Sequence, residues 1–185
     1  MILPVGVTSV LTLGTTSRIR RLFPRQPLSR ARADARVAAV CFRIREGEVQ
    51  FLLVQSRAGR WTFPKGRVDD DPSRAAAAAR EALEEAGAYG CVDDLPFVSY
   101  RHAKNPRTET FPDEHVVDAH LCEVMELVPP EETYRNPTWF SPAKSKLRLH
   151  EKRSTTYGSE LAQVIDRALA HISRRRTFRS RFRVR

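Results

Sequence analysis

The sequence predicts an α/β fold: one domain in which a mixed β-sheet is sandwiched between helices. Three observations carry that expectation. Short apolar runs of strand character stand before and after a mid-chain helix, and an amphipathic helix follows near the end of the chain. The 185 residues suffice for one sizeable core and fall short of two ordinary domains. Hydrophobic residues make up 41% and charged residues 29%, with 8 Gly and 12 Pro, which excludes collagen-like, wholly disordered and disulfide-scaffold classes. No apolar run approaches the length of a membrane span, so no membrane partner is expected.

Each element has a local reason. Val37 to Ile44 and Val49 to Val54 are apolar runs joined through Glu46-Gly47-Glu48, which reads as a hairpin with both strands largely buried. Arg57 to Arg60 carries Gly59 and reads as a loop, and Trp61-Thr62-Phe63 is a brief strand ended by Pro64. Asp71 reads as an N-cap with Pro72 at the first helical position. Ala75 to Ala79 follow as strong helix formers and Gly87 supplies the stop, so a helix is expected over about 72 to 86. Beyond it, Cys91-Val92, Phe97 to Arg101, and His115 to Val124 read as strands, with a polar loop over 103–113. Thr138 to Phe140 is a further strand, Ser141-Pro142 caps a short helix, and Ser159 to Ile172 carries an apolar stripe at helical spacing.

The charge is distributed unevenly. Lys and Arg outnumber Asp and Glu by 32 to 22, a net +10, yet residues 1–36 carry +6 and residues 173–185 carry +7, leaving −3 for residues 37–172. The chain therefore divides into a basic extension over 1–36, expected to be disordered, a mildly acidic domain over 37–172, and an Arg-rich tail over 173–185. A basic nucleic-acid-binding domain is not what this distribution describes. A nucleic-acid partner is conceivable through the tails alone and is not favoured over plain solvation. The N-terminus is apolar first and basic afterwards, the reverse of a secretory signal; a disordered extension or an early start is preferred over a targeting segment, and a cytoplasmic location is expected. Cys41, Cys91 and Cys122 are widely spaced without a C-x-x-C pair, so neither a zinc site nor a disulfide framework is indicated, and all three are expected to be reduced and buried.

The chemistry concentrates in the mid-chain helix. Glu81, Glu84 and Glu85 lie at i, i+3 and i+4, which puts three carboxylates on one helical face. Like charges at that spacing repel and raise one another's pKa unless a cation neutralises them. Ligands made of carboxylates alone, without thiol or imidazole, suit hard cations, Mg²⁺ or Mn²⁺ before Zn²⁺, and Mg²⁺ accepts phosphate oxygens in its remaining positions. The competing reading is an ordinary solvated acidic face. Spacing decides against it, because Gly66 to Ala88 reads GRVDDDPSRAAAAAREALEEAGA and resembles the Nudix box, G-x5-E-x7-R-E-U-x-E-E-x-G-U with U aliphatic. Gly66, Arg80, Glu81, Ala82, Glu84, Glu85, Gly87 and Ala88 fall on its fixed positions. Pro72 stands where the first Glu of the pattern belongs. The flanks Trp61 to Gly66 and Trp139 to Ala143 resemble the family as well, so the likeness covers about residues 37 to 172.

That resemblance implies a Nudix-type α/β/α sandwich and a Mg²⁺-dependent hydrolase of phosphoanhydrides, with a small-molecule diphosphate as substrate. It implies Glu81, Glu84, Glu85 and the Gly66 carbonyl as metal ligands, and Arg80 as the residue orienting the carboxylates. The missing Glu would weaken loop positioning, and Asp70 or Asp71 is expected to partner Arg80 instead. Lys65, Arg67, Arg57 and Arg60 are the candidate phosphate contacts before the helix, with Arg101, Lys104 and Arg107 across the site; a polyanionic substrate needs such cations. Glu109 and Glu114 are the available general bases outside the box. His102, His115 and His120 are expected in plain strand and loop positions, and Trp61 and Trp139 in the core. The segment from Arg60 to Gly66 looks most like the group acting on diphosphoinositol polyphosphates and dinucleoside polyphosphates. The alternative function is a catalytically weak sensing module of the same fold, with basic tails on nucleic acid.

Overall fold

The computed structural model describes residues 35–103 and 114–182. Strand β1 (Arg36–Arg45) is the hub of an eight-stranded mixed sheet. It pairs antiparallel with β2 (Glu48–Gln55) through a two-residue turn in which Glu46 and Gly47 both take positive φ, 53° and 84°, the requirement of a type I′ hairpin. It runs parallel to the long strand β7 (Glu114–Leu127), and its first residues pair antiparallel with β4 (Lys65–Arg67). β3 (Trp61–Thr62) and β8 (Thr138–Phe140) lie on β2, while β5 (Ala88–Val92) and β6 (Val98–Ala103) lie on β7. β4 has no counterpart among the sequence expectations: three residues, two of them cationic, offer no alternation to read.

Helix α1 (Arg74–Ala86) packs on one face of this sheet, its Ala77, Ala78, Ala82 and Ala86 against Val37, Ala39, Cys41 and Cys122. Helices α2 (Pro142–His150) and α3 (Thr155–Phe182) cover the other, where Leu149, Leu161, Val164 and Ile165 meet Val40, Phe42, Phe51 and Leu121. Alternation along β1 divides its residues between the two cores, as period-2 geometry demands. The result is the α/β/α sandwich expected from the sequence.

Several local expectations change. Ser73, not Asp71, caps α1: its Oγ accepts from the Ala76 amide at 3.0 Å, and Pro72 stands outside the helix. Asp71 is withdrawn from capping because Arg80 takes its carboxylate. Gly87 ends the helix as expected, at φ 61° with its N–H donating to the Leu83 carbonyl at 2.8 Å. A Cβ there would lie 1.8 Å from the Val128 carbonyl oxygen. Backbone cannot yield as a side chain does, so Gly87→Ala is expected to cost more than about 2 kcal/mol, read as a fall in the urea midpoint at unchanged slope.

The last helix is longer than its apolar stripe. It continues past Ile172 to Phe182, so the Arg-rich segment is helical and continuous with the domain over 174–182. Arg175 is held by Asp93, and Arg176 donates to the Gly47 carbonyl at 3.3 Å. Cys41 and Cys122 are buried, whereas Cys91 is exposed; it sits on β5 at the edge of the sheet, where alternate side chains face solvent. Residues 1–34, and with them nearly all of the N-terminal extension, fall outside the described residues. Among the described residues no helix is long and apolar enough to cross a membrane.

Candidate functional site

The site is built where α1 faces β4. Glu81 and Glu85 lie one helical turn apart on the sheet-facing side of α1 and are buried, at 7% and 4% exposure, while Glu84 is half-exposed on the flank. Burial disfavours the charged form, so desolvation raises the Glu81 pKa, opposed by Arg80. The same effect pushes Glu85 up to about 7, opposed by Lys65 and Arg135. A cation is therefore what this pair of carboxylates calls for.

Gly66 supplies the opposite wall. In the register of β4 against β1, Gly66 pairs with Val37, whose side chain belongs to the core under α1, so the glycine faces the helix. A Cβ on it would fall 1.9 Å from Glu81 Oε1. The absence of a side chain at Gly66 is thus what seats the Glu81 carboxylate against the loop.

Arginines tie the carboxylates together. Arg80 Nη1 donates to Glu81 Oε1 and to Glu84 Oε2, each at 2.9 Å. Its Nε and Nη2 donate to the two oxygens of Asp71, both at 3.2 Å, and Nη2 also reaches the Arg67 carbonyl at 3.0 Å. This two-pronged bond holds the Asp71 pKa below the usual carboxylate range. Asp71, rather than Asp70, is the acid that meets Arg80, so the brace lost at Pro72 has a neighbour in its place. Glu85 accepts from the Lys65 amide at 3.1 Å through Oε2 and from Arg135 through Oε1.

Arg135 and Tyr134 have no signal in the sequence. They belong to a 3₁₀ turn, Thr133–Arg135, that precedes β8 and lies fifty residues from the glutamate it meets. Only the folded sheet brings them together. The Arg57 guanidinium lies 5.1 Å from the centre of the Tyr134 ring and its Nε donates to Tyr134 Oη at 3.5 Å, which places Arg57 at the rim beside Arg135. Arg60 is half-buried next to Ser56, whose Oγ accepts from its amide.

Lys65 and Arg67 flank Gly66 and emerge on the opposite face of β4, where Lys65 pairs with Ala38 and Arg67 with Arg36. Desolvation pushes the Lys65 ammonium down to about 8, with Glu85 opposing and Arg135, Arg153 and Arg36 adding to the fall. The remaining candidates divide. The Arg101 side chain meets Glu160 of α3. Glu114 opens β7, and Lys104, Arg107 and Glu109 lie outside the described residues. His120 is buried with Nδ1 2.8 Å from the Asp93 carbonyl, His102 has Nδ1 2.7 Å from Tyr157 Oη, and His115 pairs opposite His102 in the sheet. Trp61 is a core residue with its ring 4.9 Å from that of Phe140 at a steep angle. Trp139 is half-buried under the Arg43 guanidinium.

Among the described residues no three His, Cys, Asp or Glu side chains are gathered around one point as a ready ion cage. The donor set nevertheless fits a hard divalent cation: oxygen ligands only, two of them on buried carboxylates, against a glycine whose missing side chain leaves room for one of them. Such an ion would exchange with the Arg80 and Arg135 contacts.

A helix bearing three glutamates, braced by an arginine and closed by a glycine loop on a mixed sheet, brings oxygen donors and cationic side chains together at one end of the sheet. The NUDIX domain model matches residues 34–157, and the chain belongs to the Nudix family of hydrolases. Family members generally use divalent metal ions. Among solved structures, an Ap4A hydrolase of C. elegans is similar at 20% identity and TM-score 0.54, covering 75% of this chain and 97% of that one. A NUDIX hydrolase from Nitrosomonas europaea gives 20% identity and TM-score 0.57, covering 75% and 89%. The NUDIX domain of Shewanella oneidensis NrtR, complexed with ADP ribose, gives 17% identity and TM-score 0.55, covering 75% and 87%. At these identities the similarity is one of fold.

Proposed function

We infer that this protein hydrolyses, with Mg²⁺ or in its place Mn²⁺, a phosphoanhydride bond in a nucleoside diphosphate derivative or similar organic pyrophosphate. The observation that carries the reading is Glu81 seated against Gly66 and Glu85 accepting from the Lys65 amide, with Glu84 tied to Glu81 through Arg80 and with Lys65 and Arg67 on either side of the glycine. Glu81, Glu84, Glu85 and the Gly66 carbonyl would hold the metal. When bound, the ion supplies neutralising charge to phosphate oxygens and to the leaving phosphate. Arg80, fixed by Asp71, orients Glu81 and Glu84. Lys65, still mainly charged at neutral pH with its pKa near 8, meets substrate phosphate. Arg67 and, at the rim, Arg57 and Arg60 extend the positive surface along which a polyanion is drawn in. Dinucleoside polyphosphates and diphosphoinositol polyphosphates are the favoured substrates, a preference that rests on the sequence from Arg60 to Gly66 and on the fold shared with an Ap4A hydrolase.

Pro72 and the arginine-bound state of the glutamates favour a second reading, a sensing module that binds a phosphorylated ligand without turning it over. Phosphate release from nucleoside diphosphate derivatives, dinucleoside polyphosphates and inositol pyrophosphates, measured with and without Mg²⁺, separates the two. Metal-dependent turnover that falls at least about a hundredfold in Glu84→Gln is the expected result. Ligand binding with no turnover on any of these substrates would replace the hydrolase by the sensor.

A further inference from the structure

One arginine of the site stands between two carboxylates. Arg135 reaches Glu85 Oε1 with Nη2 and Glu132 Oε2 with Nε, so a single guanidinium joins a buried acid of α1 to an acid at the rim. The Arg135 and Glu85 side chains are 13% and 6% exposed, that of Glu132 39%. Arg80, the other arginine among these carboxylates, is anchored apart from the glutamates, by both oxygens of Asp71 and by the Arg67 carbonyl. Arg135 is anchored by Glu132, with its guanidinium 5.1 Å from the centre of the Tyr134 ring. Through these contacts two guanidiniums serve five carboxylates, Asp71, Glu81, Glu84, Glu85 and Glu132, which leaves anionic charge for a further cation.

The backbone that carries Arg135 is fixed on both sides. Before it, the Glu132 amide donates to the Glu84 carbonyl at 3.1 Å, which ties this segment to the end of α1. After it, Asn136 takes a left-handed φ of 48° ahead of Pro137, and Thr138 Oγ1 donates to the Asn136 carbonyl at 3.0 Å. The Glu132 carboxylate is held in turn by the Tyr134 hydroxyl at 2.6 Å. Motion is therefore left to the guanidinium, which can pivot between two carboxylates that stay where they are. A guanidinium and a divalent ion on one carboxylate repel each other, the more so in a site this buried. Glu132 offers the arginine a second seat in which it remains paired.

We propose that Arg135 is the internal counter-ion of Glu85, a positioning residue that competes with the divalent metal for that carboxylate and withdraws onto Glu132 when the ion binds. The inference rests on the metal ligands assigned in the hydrolase reading and adds to them a pair of residues outside the three-glutamate helix. Metal affinity is then set in part by Arg135 and Glu132, neither of which is a ligand. The arginine keeps Glu85 paired before the ion arrives, and Glu132 keeps the arginine paired afterwards. A merely structural arginine would act with the opposite sign, because its loss would loosen the site and weaken the metal.

Mn²⁺ binding to the full chain, followed by electron paramagnetic resonance in the absence of substrate, is the test. Arg135→Met removes the competitor and is expected to tighten Mn²⁺ about five- to tenfold, whereas Arg135→Lys, which keeps the charge, should stay within about twofold of the wild type. Glu132→Gln takes away the second seat and should weaken Mn²⁺ about three- to fivefold. In the Arg135→Met background Glu132→Gln should change the affinity less than about twofold, because it acts through the arginine; two independent charge effects would multiply instead. Lys146→Gln, which breaks an ion pair between α2 and α3, should leave the affinity as it is. Arg135→Met binding Mn²⁺ no more tightly than the wild type overturns the counter-ion. So does an equal gain in Arg135→Lys, or the full effect of Glu132→Gln in the double variant. Turnover is read separately. If Mn²⁺ shows these effects and no substrate is hydrolysed, the counter-ion stands and the hydrolase reading fails. If metal-dependent hydrolysis is found while Arg135→Met leaves Mn²⁺ affinity unchanged, the hydrolase stands and the counter-ion fails. A wild type that binds no Mn²⁺ overturns both.

Discussion

Glu85→Gln is expected to abolish turnover and, in the same molecule, to stabilise the metal-free fold. Glutamine copies the shape and hydrogen bonding of the neutral acid, so the substitution removes a metal ligand and an ionisation penalty together. Loss of one charged ligand should lower metal-dependent hydrolysis by about two to four powers of ten. The stability effect follows from linkage. Burial raises the Glu85 pKa to about 7 in the folded protein, against an unfolded value of about 4.3. The folded state therefore binds this proton more tightly than the unfolded state. Its contribution is intact below about pH 4, is lost as pH rises through the interval up to about 7, and stays lost above it. The size of the shift corresponds to about 3–4 kcal/mol. Urea melts in chelator at pH 5 and pH 8 should show the wild type losing stability over that interval and Glu85→Gln much less affected. Added Mg²⁺ should restore the wild type and do nothing for the variant. A variant no more stable than the wild type at pH 8 would mean that the Arg135 and Lys65 contacts already compensate the buried charge.

The same residue shows how much of this protein is legible in its sequence. The helix, its glycine stop and the three-glutamate face are local properties, fixed by alanine propensity and by the i, i+3, i+4 spacing, and they stand in the structure where the spacing puts them. The hairpin of β1 and β2 is local as well. What fails to show is whatever depends on a partner far along the chain. Asp71-Pro72 has the composition of a helix start, yet Arg80, nine residues on, binds the aspartate and passes capping to Ser73. Arg135 reaches Glu85 from a turn with no pattern of its own. Arg36 looks like the last charge of a basic extension and turns out to be the first residue of the central strand. Its place directly across from Arg67 becomes apparent only when β4, itself too short to predict, is laid beside it. The Arg-rich end reads as a tail because its apolar stripe stops at Ile172, but helix continues where Asp93 holds Arg175.

Gly66→Ala is the sharpest test of the site, because it should disable the enzyme while leaving the fold almost untouched. The new Cβ would lie 1.9 Å from Glu81 Oε1, 2.2 Å from its Cδ and 2.5 Å from Oε2, so the carboxylate must leave its seat. It can do so cheaply for the fold, since the clashing atoms are the free end of a flexible side chain and Gly66 does not take the positive φ that penalises alanine. The cost in stability should stay near 1 kcal/mol, within the ordinary range for a single substitution. The cost in function is larger. A displaced Glu81 loses its bond to Arg80 Nη1 and its place beside Glu85 and the Gly66 carbonyl, and a ligand misplaced by about 1 Å lowers turnover on the order of a hundredfold. If that is the route of the damage, Gly66→Ala should add little in a Glu81→Gln background, because both changes remove the same ligand; two independent defects would multiply instead. Full activity in Gly66→Ala would show that the seat of Glu81 against the loop is packing and nothing more. The metal ligands would then have to be sought in Glu84 and Glu85 alone.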